Sequence, residues 1–280
     1  MTQDAPLTRQ DILSALRVAN IQEGDVILVH NNIDLLRHLP GRPKRKEAMA
    51  ILLDCFLEVL GPCGTLVVPT FNYDFCRGMP YDHKATPSQV GVFSNYVLKD
   101  PRALRSLHPI FSMAAVGPRA AELCEGVSKS AFGPGSIFDR LYRANARVVF
   151  FNADFQTITF VHYVEQAVSV SYRYIKEFSG SVTIGGKTYE DTFTYLVRPL
   201  DDSVITELGR LYRRLMDRGL MIRVPLHEGF VLQVPAVDMV EETRRALLED
   251  PYFLLAHPPE QTAAKQSGRA ASVPPSPLRS

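Results

Sequence analysis

Cysteine is scarce in this chain: four residues in 280, at positions 55, 63, 76 and 124. No two of them are spaced as C-x-x-C, so a structural zinc site is not expected. Reduced thiols in a cytoplasmic protein are the simplest reading. A membrane-length apolar run, which takes about 20 residues, is also missing. Met1 to Pro6 is polar and lacks the apolar stretch of a signal peptide. The expectation is a soluble, cytoplasmic protein with no membrane partner. Neither sign of charge dominates, with 31 Lys and Arg against 30 Asp and Glu. The one compact basic run, Arg42-Pro43-Lys44-Arg45-Lys46, reads as a solvated loop before a helix, and nucleic acid is not an expected partner. No internal repeat and no sustained heptad seam occurs; a homodimer stays open.

What is present describes an ordinary soluble domain: 46% apolar and 22% charged residues. A chain of this length buries about 75% of its unfolded surface and needs no covalent or metal staple. Apolar runs at Val26–His30, Thr65–Thr70, Phe111–Val116 and Arg147–Phe151 read as strands. Between them lie amphipathic helices: Thr8 to Ala19, Glu47 to Leu60, Ser88 to Lys99, Arg119 to Glu125 and Ile137 to Arg143. Asn31 and Asn32 are placed to cap a short helical segment through Leu36. This alternation predicts an α/β domain with a largely parallel central sheet flanked by helices. After residue 170 the pattern changes. Tyr172–Phe178, Ser181–Ile184 and Tyr189–Val197 read as antiparallel strands, with Gly185-Gly186 as a hairpin turn. Helices are expected over Ser203–Asp217 and Val237–Leu248. The organisation is thus one domain over 1–256, with an α/β core at 8–170 and an α+β portion packed against it at 171–256. Residues 257–280, rich in Pro, Ser, Ala and Gln, read as a disordered tail.

One segment carries chemistry. Gln156 to Glu165 follows an apolar strand and opens a helix. Thr159 suits the N-cap, which puts His162 in the first turn and Glu165 on the same face three residues on. A helix N-terminus disfavours imidazolium and a carboxylate favours it, so His162 is a candidate general base. Spacing alone equally fits a solvated pair or a satisfied core contact.

Other fragments stand in a fixed order around it. They are Gly24-Asp25-Val26-Ile27-Leu28-Val29-His30, the run Gly61 to Phe71, Thr86-Pro87-Ser88, Arg105-Ser106-Leu107-His108-Pro109, and Phe132-Gly133-Pro134-Gly135-Ser136. With Thr159, His162 and Glu165 as a T-x-x-H-x-x-E segment, this order resembles the aminoglycoside 3-N-acetyltransferase (antibiotic acetyltransferase) family over roughly residues 8–255. The resemblance implies a fold distinct from the GNAT acetyltransferases, acetyl-CoA as co-substrate, and an aminosugar amine as acceptor. It implies that His162, Glu165 and Thr159 serve catalysis by direct attack in a ternary complex. His30, Asn31, Asn32, Arg105, Ser106, His108, Ser112, Gly133, Gly135 and Ser136 would line the coenzyme and the catalytic cleft. This chemistry requires no metal.

The long polar loop 72–87 and the turn after residue 151 supply further candidates: Tyr73, Asp74, Asp82 and Asp154 for the acceptor. Two departures from the family pattern stand out. Asn31 and Asn32 replace the usual serines after the first strand, and Asn95 stands where a glutamate is common. An amide is bulkier than a hydroxyl and has a fixed donor and acceptor. The alternatives are therefore a different acyl donor, a non-antibiotic aminosugar acceptor, an acyl-CoA hydrolase, or a non-catalytic CoA- or sugar-binding relative.

Overall fold

The structure, a computed structural model, describes residues 5–200 and 203–258. The first half alternates helix and strand: α1 (Arg9–Val18), β1 (Val26–Asn31), α2 (Arg45–Leu60) and β2 (Thr65–Pro69). There follow β3 (Tyr81–Asp82), α3 (Val92–Leu98), β4 (Leu104–Arg105), β5 (Met113–Val116) and α4 (Ala120–Cys124). Then come α5 (Ile137–Arg143), β6 (Arg147–Phe151), α6 (Val161–Ala167), β7 (Tyr174–Ile184) and β8 (Lys187–Val197). The chain ends with α7 (Gly209–Asp217), β9 (Ile222–Leu226), β10 (Gly229–Pro235) and α8 (Ala236–Glu249). Thr8 caps α1 in a capping box with Asp11, as its sequence predicts.

Seven strands form the central sheet in the order β4-β5-β2-β1-β6-β10-β9. Side chains along each central strand alternate between the two faces with the period-two geometry of a sheet, and both faces are buried. Val26, Leu28, Val67, Val148 and Phe150 enter the core on one face, packed with α4 to α8. Ile27, Val29, Leu66, Val68, Val149 and Phe151 enter the core on the other face with α1, α2 and α3. The result is a three-layer sandwich.

The sheet is mixed, not largely parallel. Only β2, β1 and β6 run parallel; β5 opposes β2, and β10 opposes β6. Strands β9 and β10 were not expected, and they add antiparallel pairs because a two-residue turn cannot return a strand in the same direction. Their turn is His227-Glu228 rather than a glycine pair, and Pro225 interrupts the run. Proline is tolerated there because β9 lies at the sheet edge.

The second sheet holds β3, β7 and β8. Strand β7 runs unbroken through residue 184, joining the two strands expected there. Gly185 and Gly186 both adopt positive φ at the hairpin turn, +57° and +79°, as a type I′ turn requires. The helix expected from Ser203 begins only at Gly209. Nearly all of the expected tail lies outside the described residues. Among the described residues no helix is long and apolar enough to cross a membrane.

Candidate functional site

Strand β6 ends at Phe151, and Asp154 caps the short 3-10 turn that follows by accepting from the Gln156 amide at 2.8 Å. Helix α6 then opens at Val161. Thr159 is not its N-cap: Phe160 occupies that position with helical φ and ψ and no side chain to bond with. Thr159 instead contributes its carbonyl to the His162 amide and its side chain to a cleft.

His162 Nδ1 and Glu165 Oε2 are 2.5 Å apart across one turn of α6. Glu165 is fully buried, so its charge needs partners beyond the imidazole. Tyr172 donates its hydroxyl to Oε1 at 2.7 Å, and Arg173 Nε stands 2.9 Å from Oε2. Burial pushes the Glu165 carboxyl up, but the His162 and Arg173 charges and the bonds from His162 and Tyr172 hold it below the usual carboxylate range. Burial and the adjacent carboxylate push the Tyr172 phenol well up, so it stays a donor. The Glu165 contact engages Nδ1 and leaves His162 Nε2 for the cleft.

That cleft, about 600 Å³, is bounded by His162, Thr159, Tyr73, Phe111, Phe132 and the face of the β7–β8 hairpin. Phe132 stands edge-to-face against the His162 ring at 5.5 Å between centroids. Tyr174, Lys176 and Phe178 reach the cleft from alternate positions of β7, with Tyr195 and Val197 from β8.

A second cleft of about 740 Å³ contains Asn32, Asn152, Asp154, Phe155 and Gln156. The two share a wall. The Gln156 amide donates to the Thr206 carbonyl and accepts from the Leu208 amide, both at 2.9 Å. Thr206 lines the first cleft, and Glu207 and Leu208 line the second. Arg173 also ties this segment down by donating to Thr206 Oγ1 at 2.8 Å.

The positions expected at the coenzyme do not converge on the His162 cleft. Arg105 is buried, bonding Ser112 Oγ and the carbonyls of Thr70, His83 and Thr86 at 2.6–3.2 Å. Ser112 donates to the Thr70 carbonyl, and Ser106 accepts from the Met113 amide. His108 accepts the Ile110 and Phe111 amides on Nδ1, and burial pushes its pKa down to about 4. These four side chains shape the loops between β2 and β5. His30 stacks on Phe150, and burial pushes it to about 4 as well; its Nε2 has no partner. Asn31 closes β1, and Asn32 caps the next turn by accepting from the Asp34 amide. In the Gly133–Ser136 turn the amides are engaged: Gly133 with Ser130 Oγ, Gly135 with Asp139. Ser136 caps α5. A Cβ on Gly133 would stand 2.7 Å from Ser130 Oγ and 3.0 Å from Gln166 Nε2. Glycine therefore lets this turn pack against α6 and present Phe132.

Of the acceptor candidates, only Tyr73 faces the His162 cleft. Asp74 pairs with Arg77, and Asp82 folds onto the Lys84 and Ala85 amides of its own loop. Asp154 lies in the second cleft. Asn95 bonds both the Ser88 amide and its carbonyl, bracing the loop before α3. The sequence reading missed Tyr172 and Arg173; the available signal was a carboxylate expected on a buried helix face with no cation assigned to it.

A separate cluster joins His38, His227 and Glu228. Arg37 already spans it, donating to His38 Nε2 at 3.0 Å and to Glu228 at 3.2 Å, so a cation occupies the ligand positions.

The chain and its fold are similar to known proteins. An aminoglycoside N(3)-acetyltransferase IV from a Salmonella species is 25% identical over 255 residues, covering 90% of this chain and 91% of its own. The solved aminoglycoside acetyltransferase AAC(3)-Xa superposes with a TM-score of 0.77 at 22% identity, covering 90% of this chain and 95% of its own. AAC-IIIb in binary complex with CoASH gives 0.73 at 18% identity, over 86% of this chain and 96% of its own. The family described as aminoglycoside 3-N-acetyltransferase matches residues 28–248. With that match spanning most of the chain, and the His162–Glu165 pair set in the corresponding fold, the chain belongs to the aminoglycoside 3-N-acetyltransferase family.

Proposed function

We propose that this protein transfers the acetyl group of acetyl-CoA to an amino group of an aminosugar, with His162 as general base. The observation that carries the reading is the 2.5 Å contact between His162 Nδ1 and the buried Glu165 carboxylate. It fixes the ring and leaves Nε2 directed at a cleft that can hold a sugar. The co-substrate is supported by the CoASH complex of AAC-IIIb, and the acceptor class by the family's name.

The thioester carbonyl is attacked by a neutral amine. His162 Nε2 takes the proton that the amine loses as the C–N bond forms. Glu165 stabilises the resulting imidazolium, and Arg173 and Tyr172 keep that carboxylate ionised and in place. Collapse of the tetrahedral species breaks the C–S bond, and the imidazolium returns its proton to the departing thiolate. Among the described residues lining the cleft, Thr159 carries the hydroxyl nearest to His162 in sequence, and it is the proposed donor to the oxyanion. Asn32, just past the end of β1, borders the second cleft and remains the proposed contact for the coenzyme.

Thiol release from acetyl-CoA, measured against a panel of aminoglycosides and simple aminosugars, tests the reading. Acceptor-dependent release that His162→Ala abolishes is the expected result. Release that ignores the acceptor would instead assign a hydrolase.

A further inference from the structure

Helix α6 carries two pairs of side chains, one residue out of step with each other. His162 and Glu165 meet on one side of it. Tyr163 and Gln166, each the next residue along, reach the turn between α4 and α5. The Tyr163 hydroxyl donates to Asp139 Oδ1 at 3.0 Å, and Asp139 Oδ2 accepts the Gly135 amide at 2.8 Å. Gln166 Nε2 donates to Ser130 Oγ at 3.2 Å, and the same oxygen accepts the Gly133 amide at 3.1 Å. The turn is thus gripped from α6 at two points. Phe132 lies inside it, between Ser130 and Gly133.

One contact does not orient a ring. Glu165 fixes His162 Nδ1, yet an imidazole held at that atom can still tilt and carry Nε2 across the cleft. Phe132 supplies the second restraint. Its ring is 1% exposed and wedged between Phe111 and Phe138, at 4.8 and 5.1 Å between centroids. It meets the imidazole edge-to-face at 62°, a geometry that aromatic pairs prefer. A reacting atom misplaced by about 1 Å loses on the order of 10²-fold in rate. Gln166 is not among the residues lining the cleft. Among the described residues its Oε1 is buried without a hydrogen-bond partner. A methionine would fill the same space and orphan no carbonyl, so packing alone does not account for the amide. What the amide supplies is the bond to Ser130. We propose that Gln166 is a positioning residue: through Ser130 it holds Phe132 against the His162 ring and so sets the direction of Nε2. Tyr163, through Asp139, anchors the far end of the same turn.

Gln166→Met and Ser130→Ala remove the same bond from its two ends, and Phe132→Leu removes the ring. Two quantities are measured. One is kcat for thiol release from acetyl-CoA with the fastest acceptor of the aminosugar panel. The other is the NMR shift of the His162 ring protons in protein carrying 13C-labelled histidine, assigned by their absence in His162→Gln. The first rests on the acetyl-transfer reading; the second reports the nearby Phe132 ring and does not. Gln166→Met and Ser130→Ala should each lower kcat by up to about tenfold, the scale of one aromatic pair. The acetyl-CoA KM should hold. The His162 ring protons should move toward their shifts in Phe132→Leu. In the Phe132→Leu background, Gln166→Met should change neither quantity further, because its effect passes through that ring. Additive losses of kcat in the double variant overturn the proposal. So does a lower melting temperature with kcat and the His162 shifts at wild-type values, which would leave Gln166 a purely structural role. Should one of the two bond-deleting variants not fold, the other gives the same comparison. If no acceptor supports thiol release, acetyl transfer fails as the reading, and the shifts decide by themselves. His162 shifts that stay at wild-type values without the Gln166–Ser130 bond then overturn the positioning role.

Discussion

Arg173 Nε stands 2.9 Å from Glu165 Oε2, and both side chains are almost wholly shut off from solvent. The cation is eight residues beyond the acid, past the end of α6. Removing it leaves a buried carboxylate with only the imidazole and a phenol. Arg173→Met should therefore destabilise the fold by about 3–5 kcal/mol, the usual cost of breaking a buried pair from one side. The pH dependence has a definite sign. Glu165 is held below its unfolded value of about 4.3, so its contribution is full above that value and is lost as pH falls through the lowered folded value. In Arg173→Met the acid unfolding midpoint should move to higher pH, read by circular dichroism along an acid titration.

Tyr172→Phe removes one hydrogen bond to the same carboxylate without changing shape. A charge-assisted bond of this kind contributes about 1.5–3 kcal/mol. Thermal unfolding should register that loss. Turnover should fall as well, because Glu165 Oε1 then has no donor to hold it in register with His162.

His162→Gln should lower kcat by roughly 10²–10⁴-fold, the range for loss of a general base. A glutamine can still approach Glu165, so the melting temperature should change little. Coenzyme binding measured by calorimetry should persist. Wild-type turnover in this variant would remove His162 from the mechanism.

Arg105→Lys tests whether this residue is a brace or a coenzyme contact. Its guanidinium spans Ser112 Oγ and three carbonyls, and an ammonium cannot reach all four. Losing about three of these bonds should cost roughly 3 kcal/mol. The acetyl-CoA KM should be unchanged. A large rise in that KM with normal stability would restore the coenzyme contact that the family resemblance implies.

Much of the fold was legible because local signals agreed with the tertiary result. The apolar runs at β1, β2 and β6 are buried on both faces, Thr8 caps α1, and Gly185-Gly186 closes its hairpin. Strands β9 and β10 were not legible, since Pro225 and a His227-Glu228 turn conceal a strand pair whose order only the sheet supplies. At the site, His162 and Glu165 could be paired by helical spacing because both sit on α6. Arg173 could not, because its meeting with Glu165 depends on how the chain turns after the helix. The polar positions around Arg105 and His108 share motifs with a binding site, yet their hydrogen bonds are internal. Sequence pattern does not distinguish a side chain that bonds a ligand from one that bonds its own backbone.

The wall formed at Gln156 has a consequence for access. Gln156 belongs to the short 3-10 turn Phe155–Thr157. The 206–208 segment is held by two bonds to one carboxamide, a third to Arg173 and a fourth from the Glu207 amide to the Leu254 carbonyl. Together these amount to on the order of 4 kcal/mol. With Leu208 buried and Thr206 paired with Leu255, the partition is anchored to the core as well, so a substitution at Gln156 loosens one side of it and leaves the two chambers separate.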